Sequence, residues 1–147
     1  MSNHLFVSQL TKKMTLTASP SHSLTGNITV PGDKSISHRA LILGTLAVGT
    51  THVSGLLEGE DVLATAEAMR ALGASVTRTG EGTWEIIGVG VGGLSEPSTA
   101  LDFGNSGTGA RPIMGLVAGH PSPATFLGDA SPSQPPIARV MPPATAI

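Results

Sequence analysis

The sequence contains no cysteine, which excludes disulfides, thiolate metal sites and a thiol nucleophile together. Charged residues make up only 12% of it, the net charge is -2, and no basic stripe could neutralise a run of nucleic-acid phosphates. No apolar run reaches the roughly 18 residues of a membrane-spanning helix. We therefore expect a cytoplasmic protein that binds neither nucleic acid nor membrane.

Hydrophobic residues make up 39% of the 147 positions, enough to fill the core of one domain of ordinary size. Residues 1–23 are expected to be a disordered N-terminal extension, and residues 24–130 a partial domain. Seven of the eleven prolines lie between Pro121 and Pro143, and proline disfavours regular structure. Residues 131–147 are therefore predicted to form a poorly ordered, proline-rich divergent tail.

Local patterns predict helices and strands in alternation across the middle of the chain. In the first helix, the spacing of Ile36, Ala40, Leu43 and Ala47 predicts one buried apolar face, and in the second helix Val62, Ala66 and Met69 do the same. A strand, a helix and a hairpin succeed one another twice in outline, which indicates repeated units. The predicted elements are a strand at 23–30, a helix from 33–35 to near 49, a strand at 50–57, a helix from 58–61 to 73, a hairpin of 74–79 and 83–89, a strand at 100–103, an apolar stretch to 118 and a strand at 125–127.

The first candidate site lies at the predicted start of the first helix, where free backbone N–H groups favour an anion. Lys34 supplies a point charge there, and Ser35 and Arg39 share a helix face four residues apart. Together they predict a cradle for a phosphate group. The alternative is that Ser35 only caps the helix while Lys34 and Arg39 are solvated. His38 is interpreted as a packing or surface histidine.

The second candidate site is the stretch 104–111, whose small residues would let an anion approach the backbone. It is not a Walker A motif, because no Gly-Lys-Ser/Thr follows. By itself it could be a tight turn. Pro112 restricts the preceding residue, so Arg111 is predicted at the entrance of the next helix and not within it.

These two stretches carry a family resemblance. Residues 31–39, PGDKSISHR, resemble the N-terminal signature of EPSP synthases, and residues 104–111, GNSGTGAR, are similar to that family's G-N-A-G-T-x-x-R motif. The match runs from about residue 24 to 139 and is nearest to the bacterial second class of the family. It implies an α/β (α+β) fold of repeated βαβαββ units, forming an incomplete inside-out barrel, in which the strand at 24–30 belongs to the other domain of the full enzyme.

The resemblance also implies an activity. EPSP synthases, or 3-phosphoshikimate 1-carboxyvinyltransferases, move the enolpyruvyl group of phosphoenolpyruvate to the 5-hydroxyl of shikimate 3-phosphate on the pathway to aromatic amino acids, with no metal or organic cofactor. Carried over by position, Lys34, Ser35 and Arg39 bind shikimate 3-phosphate. The phosphoenolpyruvate site comprises Lys34, Asn105, Gly107 and Arg111. No catalytic acid or base is assigned within this chain.

The sequence departs from the family at Gln134 and Pro135, where EPSP synthases carry lysine and arginine. The family's general acid and base come from a later part of its chain, so we expect these 147 residues to have negligible activity alone. Two alternatives stay open: one half of a split enzyme with a complementary C-terminal chain, and a non-catalytic anion-binding module. The sister transferase acting on UDP-N-acetylglucosamine is disfavoured, because the cradle at Lys34 to Arg39 is not its pattern.

Overall fold

The structure, a computed structural model, describes residues 17, 19, 23 and 25–128. Within them the chain forms a mixed α/β arrangement of three helices and five strands. Most of the predicted extension at 1–23 and the whole of the predicted tail at 131–147 lie outside this part. The elements are α1 (Lys34–Leu46), β1 (Val48–Ser54), α2 (Glu60–Ala71), β2 (Ser75–Gly80), β3 (Thr83–Val89), β4 (Leu101–Asp102), α3 (Gly107–Ala118) and β5 (Phe126–Leu127).

The larger sheet has the order β1-β3-β2, with both pairs antiparallel. Its hairpin of β2 and β3 turns through Gly82, whose φ of 60° suits glycine, and the predicted hairpin is confirmed. Trp84 and Ile86 of β3 are buried at 4% and 0% exposure. The core therefore lies between this sheet and the helices, where Gly44 of α1 closely approaches Ile86.

A second, short sheet holds the segment that precedes α3. Strands β4 and β5 pair in parallel, with Leu101 opposite Phe126. The rings of Phe103 and Phe126 stack with their centroids 5.9 Å apart, an arrangement that adds to the gain from burying both rings. The predicted strands at 100–103 and 125–127 are confirmed, and together they fix where the chain enters α3.

The apolar pattern of α2 was predicted correctly, but that of α1 was not. Val62, Ala66 and Met69 of α2 are buried as expected. In α1, however, Ile36 and Leu43 are 65% and 63% exposed. The opposite side of α1 is buried instead, and there Ser37 Oγ and His38 Nδ1 have hydrogen-bond partners. Its residues are Ser37, His38, Leu41, Ile42, Gly44 and Thr45.

The strand predicted at 23–30 is not formed in the structure. Residues 27–33 carry no regular secondary structure, and Ile28 and Val30 are 90% and 73% exposed. A strand needs a neighbour to complete its hydrogen bonds, and no described strand pairs with this segment. The strand predicted from the alternating pattern is therefore absent from the described residues, and its place in another domain of a full enzyme stays a prediction.

Candidate functional site

Two side-chain hydrogen bonds fix the start of α1. Asp33 is the N-cap, and its Oδ1 accepts from the backbone N–H of Ile36 at 2.7 Å. The Ser37 hydroxyl donates to the Asp33 carbonyl at 2.8 Å and accepts from the N–H of Leu57 at 2.9 Å. A Cβ at Gly32 would lie 2.0 Å from a carbonyl oxygen of the β1–α2 loop. The start of α1 is thus held against the start of α2.

This contact brings Lys34 to Asp61, the second residue of α2. The Lys34 ammonium pairs with Asp61 Oδ2, and the two side chains are 51% and 20% exposed. Asp61 Oδ1 accepts from the N–H of Val62 at 3.0 Å. Burial by itself would raise the pKa of Asp61, but its hydrogen bond and charge attraction with Lys34 hold that pKa below its ordinary value. Asp61 is therefore an ionised partner of Lys34.

His38 lies one helical turn after Lys34 and is buried at 1% exposure. Its Nδ1 is 2.8 Å from Thr65 Oγ1. Its Nε2 is 3.8 Å from Asp61 Oδ2 and has no hydrogen-bond partner among the residues the structure describes. Burial lowers the pKa of His38, the Asp61 carboxylate opposes the shift, and the Lys34 ammonium adds to it. His38 is therefore neutral in this arrangement at pH 7.

The start of α3 packs against the same group. Ser106 is the N-cap, and its Oγ accepts from the N–H of Gly109 at 3.2 Å. The predicted position of Arg111 was wrong, because α3 begins at Gly107 and contains both Arg111 and Pro112. Pro112 removes only one helical hydrogen bond this close to the N-terminus, and the Ser106 cap favours the early start.

A cleft of about 1130 Å³ opens between α2 and residues 98–106, with Lys34 on its wall. Of the predicted site residues, the structure brings Lys34 and Asn105 together in this cleft. Four do not line it: Ser35, Arg39, Gly107 and Arg111. Arg39 is exposed at the surface of α1, and Ser35 is partly buried. The cleft therefore gathers one residue from each motif but not the whole predicted cradle.

The cleft is lined by more acidic than basic side chains. Arg70 joins Lys34 as a cation on its wall, but Arg70 pairs with Glu67 at 2.6 Å. Glu60, Asp61 and Asp102 also line it. Both cations are thus already matched by carboxylates, so an entering anion competes with Asp61 and Glu67 for them.

Sequence reasoning missed Asp61, His38 and Thr65 as members of one group. In the sequence, Asp61 shows only the acidic character that suits the start of a helix, where it lies. His38 lies within the recognised motif, but none of its neighbours in sequence indicates that its side chain is buried. The i, i+4 spacing of Lys34 and His38 was the available signal, since it places both on one helix face.

Between residues 25 and 128, no group of three or more His, Asp or Glu side chains is arranged to hold a metal ion. No helix in this range combines the length and apolar character needed to cross a membrane.

The chain is similar to one class of enzyme in both sequence and fold. A family model described as EPSP synthase (3-phosphoshikimate 1-carboxyvinyltransferase) matches residues 18–147. The fold agrees: a solved EPSP synthase from Acinetobacter baumannii superposes with a TM-score of 0.76 at 46% identity, over 82% of this chain and 27% of that one.

The chain belongs to the EPSP synthase family. A 3-phosphoshikimate 1-carboxyvinyltransferase from Parvibaculum lavamentivorans is 71% identical over 130 residues, which are 88% of this chain and 29% of the relative. One from Rhodopseudomonas palustris is 63% identical over 87% of this chain and 29% of its own length. The chain thus spans under a third of the length of these relatives.

Proposed function

We propose that this chain supplies part of the substrate site of an enolpyruvyl transferase, which moves the enolpyruvyl group of phosphoenolpyruvate to the 5-hydroxyl of shikimate 3-phosphate. The observation that carries the proposal is that Lys34 and Asn105 come from two separate family motifs and line one cleft. In this assignment both contact phosphoenolpyruvate. The cytoplasm, where the family's pathway has its substrates, is the setting we expect.

Ser35 and Arg39 take the other substrate in this proposal. They lie beside Lys34 but outside the cleft, and neither side chain pairs with another described residue. Shikimate 3-phosphate then sits at the mouth of the cleft and contacts Lys34 from the outer side. Gly107 and Arg111 complete the phosphoenolpyruvate side only if that ligand reaches the start of α3.

Calorimetry with shikimate 3-phosphate tests this binding. Replacing Arg39 with alanine removes a charge-assisted hydrogen-bond donor, which contributes roughly 1.5 to 3 kcal/mol. We expect affinity to fall about ten-fold to a hundred-fold. His52→Ala is the matched control, since His52 lies on β1 with its side chain 76% exposed. An Arg39→Ala variant that binds as well as the His52→Ala variant would contradict the assignment.

We further propose that the chain binds without turnover until the rest of a family-length protein completes the site. It spans only 29% of the relative from Parvibaculum lavamentivorans, and the cleft holds no unmatched cation on its wall. The exposed apolar residues Ile36 and Leu43 of α1 give the remainder a surface to pack against. This remainder could equally arrive as a separate, complementary chain.

Complementation separates these possibilities. A polypeptide holding the remaining part of the Parvibaculum lavamentivorans relative would be mixed with this chain, and release of phosphate from phosphoenolpyruvate would be followed. Activity of the mixture, absent from either part, supports a split or completed enzyme. Binding of shikimate 3-phosphate with no activity in the mixture favours the anion-binding module. Turnover by this chain alone would refute the proposed dependence.

A further inference from the structure

The Asp61 carboxylate has two nitrogen bases beside it, and their surroundings differ sharply. Lys34 is half exposed and pairs with Asp61 Oδ2. His38 is buried, and its Nε2 is 3.8 Å from the same oxygen with no hydrogen bond of its own among the described residues. One carboxylate oxygen thus pairs with a half-exposed cation and lies near a buried, neutral base.

Binding an anion at Lys34 disturbs this arrangement. A long lysine side chain can turn toward a ligand in the cleft, but Asp61 is only 20% exposed and would lose its cation. A poorly solvated carboxylate without a partner is strongly disfavoured. Any use of Lys34 as a ligand group therefore needs a replacement partner for Asp61.

We propose that His38 is that replacement: when the Lys34 ammonium moves to a bound anion, His38 Nε2 takes a proton from solvent and donates it in a hydrogen bond to Asp61 Oδ2. His38 is then a positioning residue for Lys34 and Asp61, and it touches no substrate. The gap of 3.8 Å must shorten to the roughly 2.8 Å of a charge-assisted hydrogen bond. This inference rests on the proposed anion-binding role of Lys34.

Thr65 makes both protonation states of His38 possible. Its hydroxyl lies 2.8 Å from His38 Nδ1 and 3.4 Å from the carbonyl oxygen of Asp61. When His38 is neutral with its proton on Nδ1, Nδ1–H donates to the Thr65 hydroxyl, which in turn donates to the Asp61 carbonyl. When Nε2 gains a proton, these two hydrogen bonds stay unchanged. The Thr65 hydroxyl therefore forms a hydrogen bond with His38 Nδ1 in either protonation state of the ring.

The charges acting on His38 within the described structure are those of Lys34 on its own helix and Asp61 on α2. On α3 the neighbour is Gly109, which carries no charge. Departure of the Lys34 ammonium removes a charge that lowers the pKa of His38, while the attraction of Asp61 stays. Anion binding thus raises the pKa of His38, and by linkage the anion binds more tightly as pH falls through that range.

Nuclear magnetic resonance on the intact chain tests the exchange without any ligand. Lys34→Met mimics departure of the ammonium, and the pKa of His38, followed at its Cε1, should rise, since the Lys34 charge lowers that pKa. Lys34→Arg should restore the lower value. Arg39→Met is the matched control, because it removes a cation from the same helix without touching Asp61. A Lys34→Met variant with an unchanged His38 pKa, or an equal rise in Arg39→Met, would overturn the proposal.

Calorimetry tests the same exchange with a ligand. Titration of shikimate 3-phosphate near pH 7, in two buffers of different ionisation enthalpy, should reveal uptake of up to about one proton per anion. His38→Gln should abolish that uptake, and binding without proton uptake in the unmodified chain would overturn the exchange. If shikimate 3-phosphate does not bind, the proposed function of this chain fails, and the Lys34→Met measurement still decides the exchange. If the His38→Gln variant does not fold, the Lys34→Met measurement still tests the exchange.

Discussion

Gly109 of α3 packs closely against residues of α1 and α2, so Gly109→Ala tests whether the three helices pack together at the candidate site. A Cβ there would lie 2.6 Å from Thr65 Oγ1, 2.9 Å from Ser106 Oγ and 3.2 Å from His38 Cε1. The two shortest distances are below any normal contact with a methyl group. The alanine would therefore push away the partner of His38 and the cap of α3 together.

The magnitude follows from three contributions. Weakening the Ser106 cap costs about 1 kcal/mol. Overpacking a tight junction costs about 1 to 3 kcal/mol. Replacing glycine by alanine within a helix returns roughly 1 kcal/mol. We expect Gly109→Ala to lower the free energy of unfolding by about 1 to 3 kcal/mol.

Urea unfolding followed by the fluorescence of Trp84 measures this change, since Trp84 is the chain's one tryptophan and is 4% exposed. Gly115→Ala is the matched control on the same helix, because a Cβ there meets nothing within 4 Å. It should keep the gain of roughly 1 kcal/mol without the clash. If the two variants are equally stable, the close packing of α1, α2 and α3 at Gly109 is refuted.

Two further predictions concern acid stability and the exposed face of α1. Hydrogen bonds from Arg78 lower the pKa of Glu58 from 4.5 to about 2. The stabilising effect of the Glu58 carboxylate is therefore complete above pH 4.5 and is lost as pH falls through 2. Urea midpoints measured from pH 6 to pH 2 should fall less steeply in Glu58→Gln than in the unmodified chain, and equal slopes would count against this ion pair. A double change of Ile36 and Leu43 to serine should alter the free energy of unfolding by no more than about 0.5 kcal/mol and should reduce self-association in sedimentation velocity. Leu41→Ala, by contrast, should lower the free energy of unfolding by about 2 to 5 kcal/mol, because the Leu41 side chain is 0% exposed. A similar cost in the double serine variant would mean that the face is buried.

The sequence patterns that worked were those decided locally. The buried face of α2 follows from the spacing of Val62 and Met69, and the hairpin follows from glycines flanking Glu81, because helix period and turn geometry depend on near neighbours. The face of α1 was wrong for a physical reason. Both sides of that helix carry apolar residues, and the buried side also carries Ser37 and His38, which form hydrogen bonds with Leu57 and Thr65, two residues distant in sequence.

The candidate site shows the same division between local and distant information. Lys34 was found in the sequence because a cation at the start of a helix favours an anion, and Asn105 was found through the family resemblance of residues 104–111. Their charge balance could not be found there, since it depends on which carboxylates the fold brings near. Lys34 faces Asp61, so the cation of the motif is part of an ion pair, and in the proposed function an anion binds there only when that pair exchanges partners. His38 matters for this reason: a buried base near the same oxygen lowers the cost of the exchange without adding a permanent charge to the site.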